Sequence, residues 1–381
     1  MPHCETIILA GGFSSRMQGF KPLYPLGNAT VLERAVAAFR DAGVERVLVV
    51  TGYRAGDLAP AISATNAEPV FNPGYDQGMF TSVQAGVRSL SRDCESFFVL
   101  PVDIPLVRPA TVARLMDAFH NDASVLYPNF QGERGHPPVL AACLREPILG
   151  HTGEGGLRGV LAQEEEQRPE RVRDVAVADQ AVLLDMDREE QYRRLQARQQ
   201  GMRVPTPEEC EALFHMAATP HHVRGHCRAV SLVARELGRA WRNGGKGDVD
   251  LEFIVRAALL HDVGKGSKPH ETTGGRMLAR AGFEEMGRVV ACHGDAHLDG
   301  NEPITEAEIV FLADKLVIGE QAVSLDQRFQ AALERYGHES EVRRAILGRW
   351  ERAKAVADRY EAETGASLVQ LAETALAQNK E

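Results

Sequence analysis

The chain has 381 residues, and its 43 Lys plus Arg against 53 Asp plus Glu give a formal net charge of −10 at pH 7. This length predicts about two globular domains. The excess of negative charge argues against nucleic acid as a partner. The sequence has neither a run of about 20 apolar residues nor a basic-then-apolar leader, so we expect no membrane partner and a cytoplasmic location. The six cysteines are scattered without a C-x-x-C pair, which argues against a disulfide framework and a thiolate zinc site.

The first part of the chain, residues 1–198, alternates short apolar runs with amphipathic segments. Strands are predicted over 6–10, 46–51, 69–71, 96–100, 124–127 and 182–184, and a helix over 31–42. Continuous apolar runs separated by helices are typical of a mostly parallel sheet that is covered on both faces. We therefore predict a three-layer α/β domain with a Rossmann-like sheet.

The composition changes after residue 198, where strand signals nearly vanish and histidine becomes frequent. Nine of the 13 histidines lie after residue 200. Helical periodicity predicts helices over 209–217, 227–240, 251–260, 305–319 and 339–364. This pattern predicts an all-α domain over residues 208–381, joined to the first domain by a linker over 199–207.

A glycine-rich loop follows the first predicted strand. Its consecutive glycines let backbone N–H groups approach phosphate oxygens, two serines add hydroxyl donors, and two basic residues add fixed positive charge. This combination suits a nucleoside triphosphate. The spacing fits neither G-x-G-x-x-G nor G-x-x-x-x-G-K-[ST], which excludes the dinucleotide and P-loop patterns. The residues predicted to bind the nucleotide here are Leu9, Ala10, Gly11, Gly12, Ser14, Ser15, Arg16 and Lys21.

The run L-A-G-G-F-S-S-R-M-Q-G-F-K at residues 9–21 resembles the signature of the MobA-like nucleotidyltransferases, L-A-[AG]-G-x-S-x-R-M-G-x-x-K. It departs from that signature at Gln18, which occupies the second glycine position. The resemblance covers about residues 5–195 and implies nucleotidyl transfer with release of pyrophosphate. It also implies that Asn72, Gly78 and Ser82 contact the nucleotide. Its later motifs lie at 72–82, 100–107, 132–137 and 183–187.

Two aspartates are predicted to bind Mg²⁺ for this reaction. Asp103 follows a strongly apolar predicted strand, at the carboxyl end where open α/β sheets place ligands. Mg²⁺ prefers carboxylate oxygens and neutralises phosphates, so we predict that Asp103 is a magnesium ligand. We also predict that Asp103, Arg16 and Lys21 are catalytic residues. Asp187 follows another predicted strand and is the second candidate ligand. Helix-capping or turn chemistry is an alternative for both aspartates, and Asp185 is an alternative ligand to Asp187.

The run Arg134-Gly135-His136-Pro137 resembles the molybdenum cofactor cytidylyltransferases, whereas L-A-G-G at residues 9–12 is closer to the guanylyl branch. More of the chain follows the cytidylyl branch. The resemblance implies CTP, or GTP, as the donor and molybdopterin as the acceptor, bound by Arg134 and His136. It further implies a molybdoenzyme or its chaperone as a protein partner. A structural role for His136 stays open, and no sequence feature excludes a sugar phosphate or another phosphate as the acceptor.

Histidines and aspartates of the second part occur at the spacing of metal ligands. His261 and Asp262 follow a strongly apolar predicted helix, where adjacent ionisable groups are costly unless they are paired or bound to metal. His226 heads another predicted helix, and Asp314 lies within an otherwise apolar one. Three helices can bring these side chains to one divalent ion. Imidazole and carboxylate ligands suit Mn²⁺, Fe, Co²⁺, Ni²⁺ or Zn²⁺.

This H…HD…D pattern, with His261-Asp262-Val263-Gly264-Lys265 at its centre, resembles the HD-domain phosphohydrolases over about residues 209–330. The resemblance implies hydrolysis of phosphate esters by a metal-activated water. Asp262 is then catalytic and Lys265 neutralises phosphate, with one or two metals such as Mn²⁺, Fe or Ni²⁺. A metal- or nucleotide-binding regulatory module without turnover is the alternative.

His270 and His293 match the HD subgroup that binds a second metal, and His297 is a weaker candidate. A surface location without a metal is the alternative for these histidines. The basic stretch from Arg343 to Arg359 is predicted to be a solvated helix face without a functional role.

Overall fold

The computed structural model describes residues 3–13, 17, 19–120, 122–244, 247–295 and 303–378. The chain divides into two compact units, residues 1–202 and 203–381. Among the described residues, no helix is both long enough and apolar enough to cross a membrane.

The first unit is built around a mixed, mostly parallel β-sheet, which confirms the predicted α/β class. Its strands are β1 (Cys4–Leu9), β2 (Pro25–Leu26), β3 (Ala29–Thr30), β4 (Arg46–Thr51), β5 (Glu68–Phe71), β6 (Ser96–Pro101), β7 (Val125–Phe130), β8 (Glu133–Arg134), β9 (Val139–Ala141) and β10 (Val172–Ala176). Its helices are α1 (Val31–Arg40), α2 (Ala55–Ala64), α3 (Met79–Ser89), α4 (Pro109–Ala118), α5 (Arg145–Gly150), α6 (Gly156–Gln167) and α7 (Glu189–Gln200).

The order of the strands creates a ligand crevice beside β1. The main sheet runs β10-β7-β9-β6-β1-β4-β5, with β1 parallel to both β4 and β6 and with β9 antiparallel to β6 and β7. The chain moves outward from β1 to β4 and β5 and then returns to β6 on the other side of β1. Open α/β sheets bind ligands where the strand order reverses in this way. The crevice is therefore expected between the carboxyl ends of β1 and β6.

Helix α3 connects β5 to β6 and packs closely against β1. Val83 and Val87 on α3 share one buried core with Ile7 of β1. Gly86 lies at the point of contact, where a Cβ atom would be 2.4 Å from Cγ2 of Ile7. Since α3 follows β5, this packing fixes its first turn at the carboxyl edge of the sheet.

The predicted strand over 182–184 is wrong, because Gln180–Leu183 forms a short 3-10 helix. Asp179 starts this turn by accepting a hydrogen bond from the backbone N–H of Ala181 at 3.2 Å. The same buried carboxylate accepts from the hydroxyl of Thr111 at 2.8 Å. Side-chain capping, which short apolar runs do not reveal, therefore replaces strand pairing in this segment.

The second unit is helical, as predicted, with one small antiparallel hairpin. Its helices are α8 (Pro207–Met216), α9 (His221–Gly244), α10 (Leu251–Leu260), α11 (His270–Arg280), α12 (Glu284–Cys292), α13 (Glu306–Lys315), α14 (Leu325–Tyr336), α15 (Ser340–Thr364) and α16 (Leu368–Ala377), and the hairpin strands are β11 (Val317–Ile318) and β12 (Gln321–Ala322). Trp241 and Tyr360 are fully buried between α9 and α15, and the Tyr360 hydroxyl donates to the carbonyl of Leu237 at 2.6 Å.

Several helix ends differ from the sequence prediction. Helix α9 begins at His221, so His226 lies in its second turn and does not head the helix. Helix α13 ends at Lys315, and the predicted continuation to residue 319 is the hairpin, which turns at Gly319 with φ +61°. A left-handed glycine is incompatible with a continuing helix and lets the chain reverse.

Replacing Gly86 by alanine is expected to destabilise the first unit, because the added methyl group meets Ile7. Overpacking of this kind costs about 1–3 kcal/mol, which lowers the unfolding midpoint by roughly 2–10 °C in a unit of this size. Differential scanning calorimetry measures the shift. Gly56→Ala is the matched control, since no described atom lies within 4 Å of a Cβ added there. Equal stability of the two variants would contradict the close packing of α3.

Candidate active sites

A cavity of about 400 Å³ opens where the strand order reverses, between the ends of β1 and β6 and the first turn of α3. Most of the side chains and glycines predicted to bind nucleotide or Mg²⁺ line it. These are Leu9, Ala10, Gly11, Gly12, Lys21, Gly78, Ser82, Asp103 and Asp187. The predicted phosphate ligands Ser14, Ser15 and Arg16 lie outside the described residues.

Gly11 is a point of close approach between the glycine-rich loop and the neighbouring segments of the unit. A Cβ atom added at Gly11 would lie 3.3 Å from both the hydroxyl of Ser82 and the backbone nitrogen of Gly52. Its carbonyl accepts a hydrogen bond from the backbone N–H of Tyr53 at 3.2 Å. A larger residue would push the loop away from α3. The geometry thus explains why this position of the loop is glycine.

Asn72, which the family resemblance assigns to the nucleotide, lies behind the cavity wall. Its Nδ2 donates to the hydroxyls of Thr81 at 2.9 Å and Ser82 at 3.0 Å, and its Oδ1 accepts from the backbone N–H of Gly74 at 3.0 Å. Both amide hydrogens are engaged in these contacts. Asn72 therefore holds the loop that leads into α3, and Ser82 is the member of this group that lines the cavity.

Lys21 joins the two predicted magnesium ligands. Its Nζ lies 2.7 Å from Oδ1 of Asp187 and 3.6 Å from Oδ2 of Asp103. Burial raises the pKa of Asp103; the Lys21 ammonium opposes this shift, and the charges of Asp187 and Asp185 add to it. Two carboxylates that face one cavity and already attract a cation form a donor set that fits Mg²⁺.

The structure distinguishes between the alternatives for the two aspartates, namely a helix cap at Asp103 and Asp185 in place of Asp187. Helix α4 is preceded by Arg108 as its N-cap, so Asp103 is not a helix cap. Asp185 is exposed and accepts a hydrogen bond from Gln191, whereas Asp187 lines the cavity. Asp187 follows the 3-10 turn and not a strand, which corrects the reason for which it was predicted.

Arg134 and His136, predicted to bind the acceptor, lie outside this cavity as the structure describes it. Arg134 makes a bidentate ion pair with Glu165, both contacts at 2.9 Å, and a further one with Asp174 at 2.6 Å. Burial lowers the pKa of His136, and the charge of Arg158 lowers it further. At neutral pH the Arg134 charge is therefore compensated within the unit and His136 is uncharged. Their contact with an acceptor stays a prediction.

In the second unit, the four ligands of the H…HD…D pattern converge from α9, α10 and α13. Nε2 of His226 lies 3.2 Å from Oδ1 of Asp314. Nε2 of His261 lies 3.5 Å from that same oxygen and 3.7 Å from Oδ2 of Asp262. His261 and both aspartates are buried. The apolar helices thus bring ionisable side chains together inside the unit, as their spacing predicts.

A second group of ligands shares Asp262. Nε2 of His270 lies 3.2 Å from Oδ1 of Asp262, and Nε2 of His293 lies 3.7 Å from it. The ligand atoms of His226, His261 and Asp262 lie within 4.8 Å of one another, as do those of Asp262, His270 and His293. The geometry therefore allows two adjacent metal positions with Asp262 between them. His297 lies outside the described residues.

All four histidines direct Nδ1 at an oxygen acceptor, so that Nε2 faces the aspartates. The acceptors are the carbonyl of Gly319 for His226 at 2.9 Å, of Ala258 for His261 at 2.8 Å and of Val290 for His293 at 2.7 Å, and Oε2 of Glu271 for His270 at 3.2 Å. Such contacts fix the tautomer of metal-binding histidines. The buried Nε2 of His261 has no well-formed hydrogen bond among the described residues. This donor set fits a transition metal.

Two lysines compensate the buried aspartates. Burial alone would raise the pKa of Asp262, but the nearby His293, His261 and Lys265 hold it well below its ordinary value. In the same way, Lys315 and His226 overcome burial at Asp314 and hold its pKa low. Nζ of Lys315 lies 2.6 Å from Oδ2 of Asp314. Both aspartates are therefore ionised at neutral pH and able to bind metal.

Lys315 is a site residue that the sequence interpretation missed. It is buried at the end of α13 and lines a cavity of about 590 Å³ beside the ligands. Its signal in the sequence is a cation directly after an acid in an otherwise apolar helix, which indicates a buried pair.

Asp262→Ala is expected to reduce metal binding at both positions, because Asp262 belongs to both ligand groups. His270→Ala with His293→Ala should remove the second metal and leave the first. Since changes beyond the direct ligands already cost about 10- to 100-fold in affinity, loss of a ligand should cost at least about 100-fold. Mass spectrometric metal analysis of protein loaded with Mn²⁺ measures the content. His222→Ala is the control, because His222 lines the same cavity outside both groups. An Asp262→Ala protein that keeps two metals would contradict the shared position.

Comparison with known proteins identifies a domain in each unit. Residues 6–169 match the MobA-like NTP transferase domain, and residues 223–318 match the HD domain. Molybdenum cofactor cytidylyltransferase of Escherichia coli (strain K12) is 29% identical over 185 residues, which is 47% of this chain and 94% of that protein. Bifunctional protein GlmU of Corynebacterium aurimucosum is 28% identical over 200 residues, 48% of this chain and 39% of that protein. The chain thus spans less than half the length of that GlmU.

Among solved structures, a nucleotidyl transferase from Methanothermobacter thermautotroptrophicus is 26% identical with a TM-score of 0.47, covering 52% of this chain and 98% of that one. The MobA-like match contains Lys21 and Asp103 and ends before Asp187, whereas the HD match contains the whole histidine–aspartate cluster. The chain thus contains a MobA-like NTP transferase domain, followed by an HD domain.

Proposed function

We propose that the first unit transfers a cytidylyl group from CTP, or a guanylyl group from GTP, to an acceptor of the molybdopterin type. The second unit then hydrolyses a phosphate ester. The observation that carries the first activity is the cluster of Lys21, Asp103 and Asp187 beside the glycine-rich loop, in the crevice where the strand order reverses. The second activity is supported by Asp262, which belongs to both groups of metal ligands.

The nucleotide fits the first cavity with its phosphates toward the glycine-rich loop. Gly11 and Gly12 allow close approach of the backbone, and the first turn of α3, which also lines the cavity, is the positive end of a helix dipole. Lys21 adds a fixed positive charge. When bound by Asp103 and Asp187, Mg²⁺ neutralises charge on the phosphates. These contacts orient the α-phosphate for attack from the open side of the cavity.

The transfer itself requires little covalent chemistry from the protein. A phosphate oxygen of the acceptor forms a bond to the α-phosphorus of the nucleotide. The bond from that phosphorus to the bridging oxygen breaks, and pyrophosphate leaves with the electron pair. Positioning and charge neutralisation account for the acceleration.

The choice of acceptor is supported by the Escherichia coli relative, whose name is molybdenum cofactor cytidylyltransferase and which aligns over 94% of its length. A sugar phosphate or another phosphorylated compound is the second candidate. The ion pairs of Arg134 with Glu165 and Asp174 weaken the motif on which the pterin acceptor rests, because they compensate the charge predicted to bind the pterin phosphate.

In the second unit, the metal ligands supply the positions for hydrolysis. A bound transition metal lowers the pKa of its water and draws charge from the phosphoryl oxygens. Asp262, shared by both ligand groups, holds the two positions adjacent. Lys265, with Nζ 3.0 Å from Oδ2 of Asp262, lines the cavity and is placed to neutralise a phosphate oxygen. A regulatory module would need the same ligands but would show no turnover.

Incubation of the full chain with Mg²⁺, each triphosphate and each acceptor tests the transferase. We expect a cytidine-containing dinucleotide of molybdopterin and one pyrophosphate for each transfer, measured by mass spectrometry and a coupled pyrophosphate assay. Product with a sugar phosphate alone would assign the second acceptor. The absence of product from any triphosphate would contradict nucleotidyl transfer at this site.

The same assay separates the two sites. Asp103→Ala should reduce the transfer rate at least about 100-fold, since it removes a group that neutralises transition-state charge, and should leave phosphatase activity with Mn²⁺ unchanged. Asp262→Ala should do the reverse. Asp185→Ala is the control, because Asp185 faces Gln191 and does not line the cavity. Equal loss of both activities in either variant would contradict independent sites, and metal binding without turnover on any phosphoester would assign the HD domain to regulation.

A further inference from the structure

The cavity beside the HD ligands extends well beyond them. Its volume is about 590 Å³, and its lining includes Arg328, Arg335 and Arg349. Arg328 and Arg335 lie on α14, and Arg349 lies on α15. All three follow residue 318, where the match to the HD domain ends. These arginines are thus supplied by helices that are not part of the matched domain, and Arg349 is not merely the solvated residue that the sequence predicts.

The cations nearest the metal ligands are already engaged. Lys265 and Lys315 pair with Asp262 and Asp314. Nη1 of Arg328 donates to the carbonyl of Val317 at 2.8 Å, and its Nη2 lies 3.7 Å from Oδ1 of Asp314. Arg328 on α14 is therefore a third cation beside the ligand cluster, after Lys265 and Lys315.

Arg335 and Arg349 differ from their neighbours because neither has a carboxylate partner among the described residues. Both are exposed to the cavity side of the unit, and the guanidinium of Arg335 lies 5.2 Å from the ring centre of Tyr336. On the same helix as Arg349, Arg352 pairs with Asp295 at 2.6 Å. In a chain with ten more acidic than basic side chains, two arginines without acidic partners on one cavity indicate an anionic ligand.

The two helices that carry these arginines are fixed against each other. The rings of Phe329 on α14 and Trp350 on α15 stack with centroids 5.9 Å apart and planes 10° apart. Lys354 pairs with Asp326 at 3.3 Å across the same two helices. Arg335 and Arg349 are therefore held on one side of the cavity by a defined packing.

We propose that Arg335 and Arg349 form a second phosphate-binding subsite, so that the substrate of the hydrolase carries two or more linked phosphates. One phosphate lies at the metal ligands, Arg328 bridges the gap, and the next phosphate lies against Arg335 and Arg349. Guanidinium groups bind phosphate oxygens with two parallel hydrogen bonds, which suits this role. The inference rests on the proposed hydrolysis at Asp262.

The chemistry at this site balances with water alone. Water forms a bond to the phosphorus at the metal ligands, and the bond from that phosphorus to the bridging oxygen breaks. The leaving phosphate, held by the arginines, takes the electron pair, and the protons of the water pass to the two products. Inorganic pyrophosphate and a nucleoside diphosphate both carry the required group.

The test compares binding of methylenediphosphonate, a non-hydrolysable diphosphate analogue, with binding of orthophosphate. Isothermal titration calorimetry on the full chain loaded with Mn²⁺ gives both dissociation constants. We expect the diphosphonate to bind more tightly than orthophosphate. The double variant Arg335→Gln, Arg349→Gln should weaken diphosphonate binding at least about tenfold, with orthophosphate binding changed less than about threefold.

Arg343→Gln with Arg344→Gln is the matched control, since it removes two charges from α15 that do not line the cavity. Equal binding of the two anions to the unchanged protein, or an equal effect of the two double variants, would overturn the subsite. The values of kcat/KM for pyrophosphate, a nucleoside diphosphate and p-nitrophenyl phosphate then identify the source of the diphosphate. Tight diphosphonate binding without hydrolysis of any of the three would contradict the hydrolase and leave the subsite intact.

Discussion

Ionised carboxylates that are buried or half-buried beside apolar helices and strands persist only where cations face them, and this constraint shapes both units of the chain. At Asp103 the compensation is incomplete, since burial raises the pKa despite Lys21. At Asp262 and Asp314 the surrounding histidines and lysines outweigh burial and hold the pKa low. A divalent cation at the first cluster would complete this compensation, whereas the second cluster could hold a metal with its carboxylates already ionised.

The same constraint explains where each cluster lies in its unit. The carboxyl ends of β1 and β6 meet at one edge of the sheet, and the close packing of Gly86 on Ile7 fixes the first turn of α3 there. In the second unit, α9, α10 and α13 each bring one part of the ligand set, and backbone carbonyls orient the imidazoles. The two clusters thus differ in composition. The first consists of carboxylates and one lysine, and the second contains histidines as well as carboxylates and lysines.

Short-range patterns predict the parts of these sites that depend on local sequence. Asp103 is predictable because it follows an apolar strand, and His261-Asp262 because the pair follows an apolar helix. Sequence patterns do not predict the position of a side chain that is determined by long-range contacts. Asn72 turns into the cavity wall to hold Thr81 and Ser82, and Arg134 is engaged by acidic residues far along the chain. Neither the periodicity of apolar residues nor the spacing of motifs can predict such contacts.

Burial and partner choice account for the remaining differences. The segment 182–184 has the composition of a strand, yet a capping aspartate converts it into a 3-10 turn. The stretch from Arg343 to Arg359 has the composition of a solvated face, but Arg349 lines the metal cavity while Arg352 pairs with Asp295. Residues of one helix thus have different roles that depend on what other helices present to them.

Anomalous diffraction from crystals soaked in Mn²⁺ tests most directly whether these carboxylates are metal sites. We expect one anomalous peak in contact with Asp103 and Asp187, and two adjacent peaks that both contact Asp262. Peaks that lie away from Asp103 and Asp187, or a peak in the second unit that does not touch Asp262, would contradict metal binding by these carboxylates.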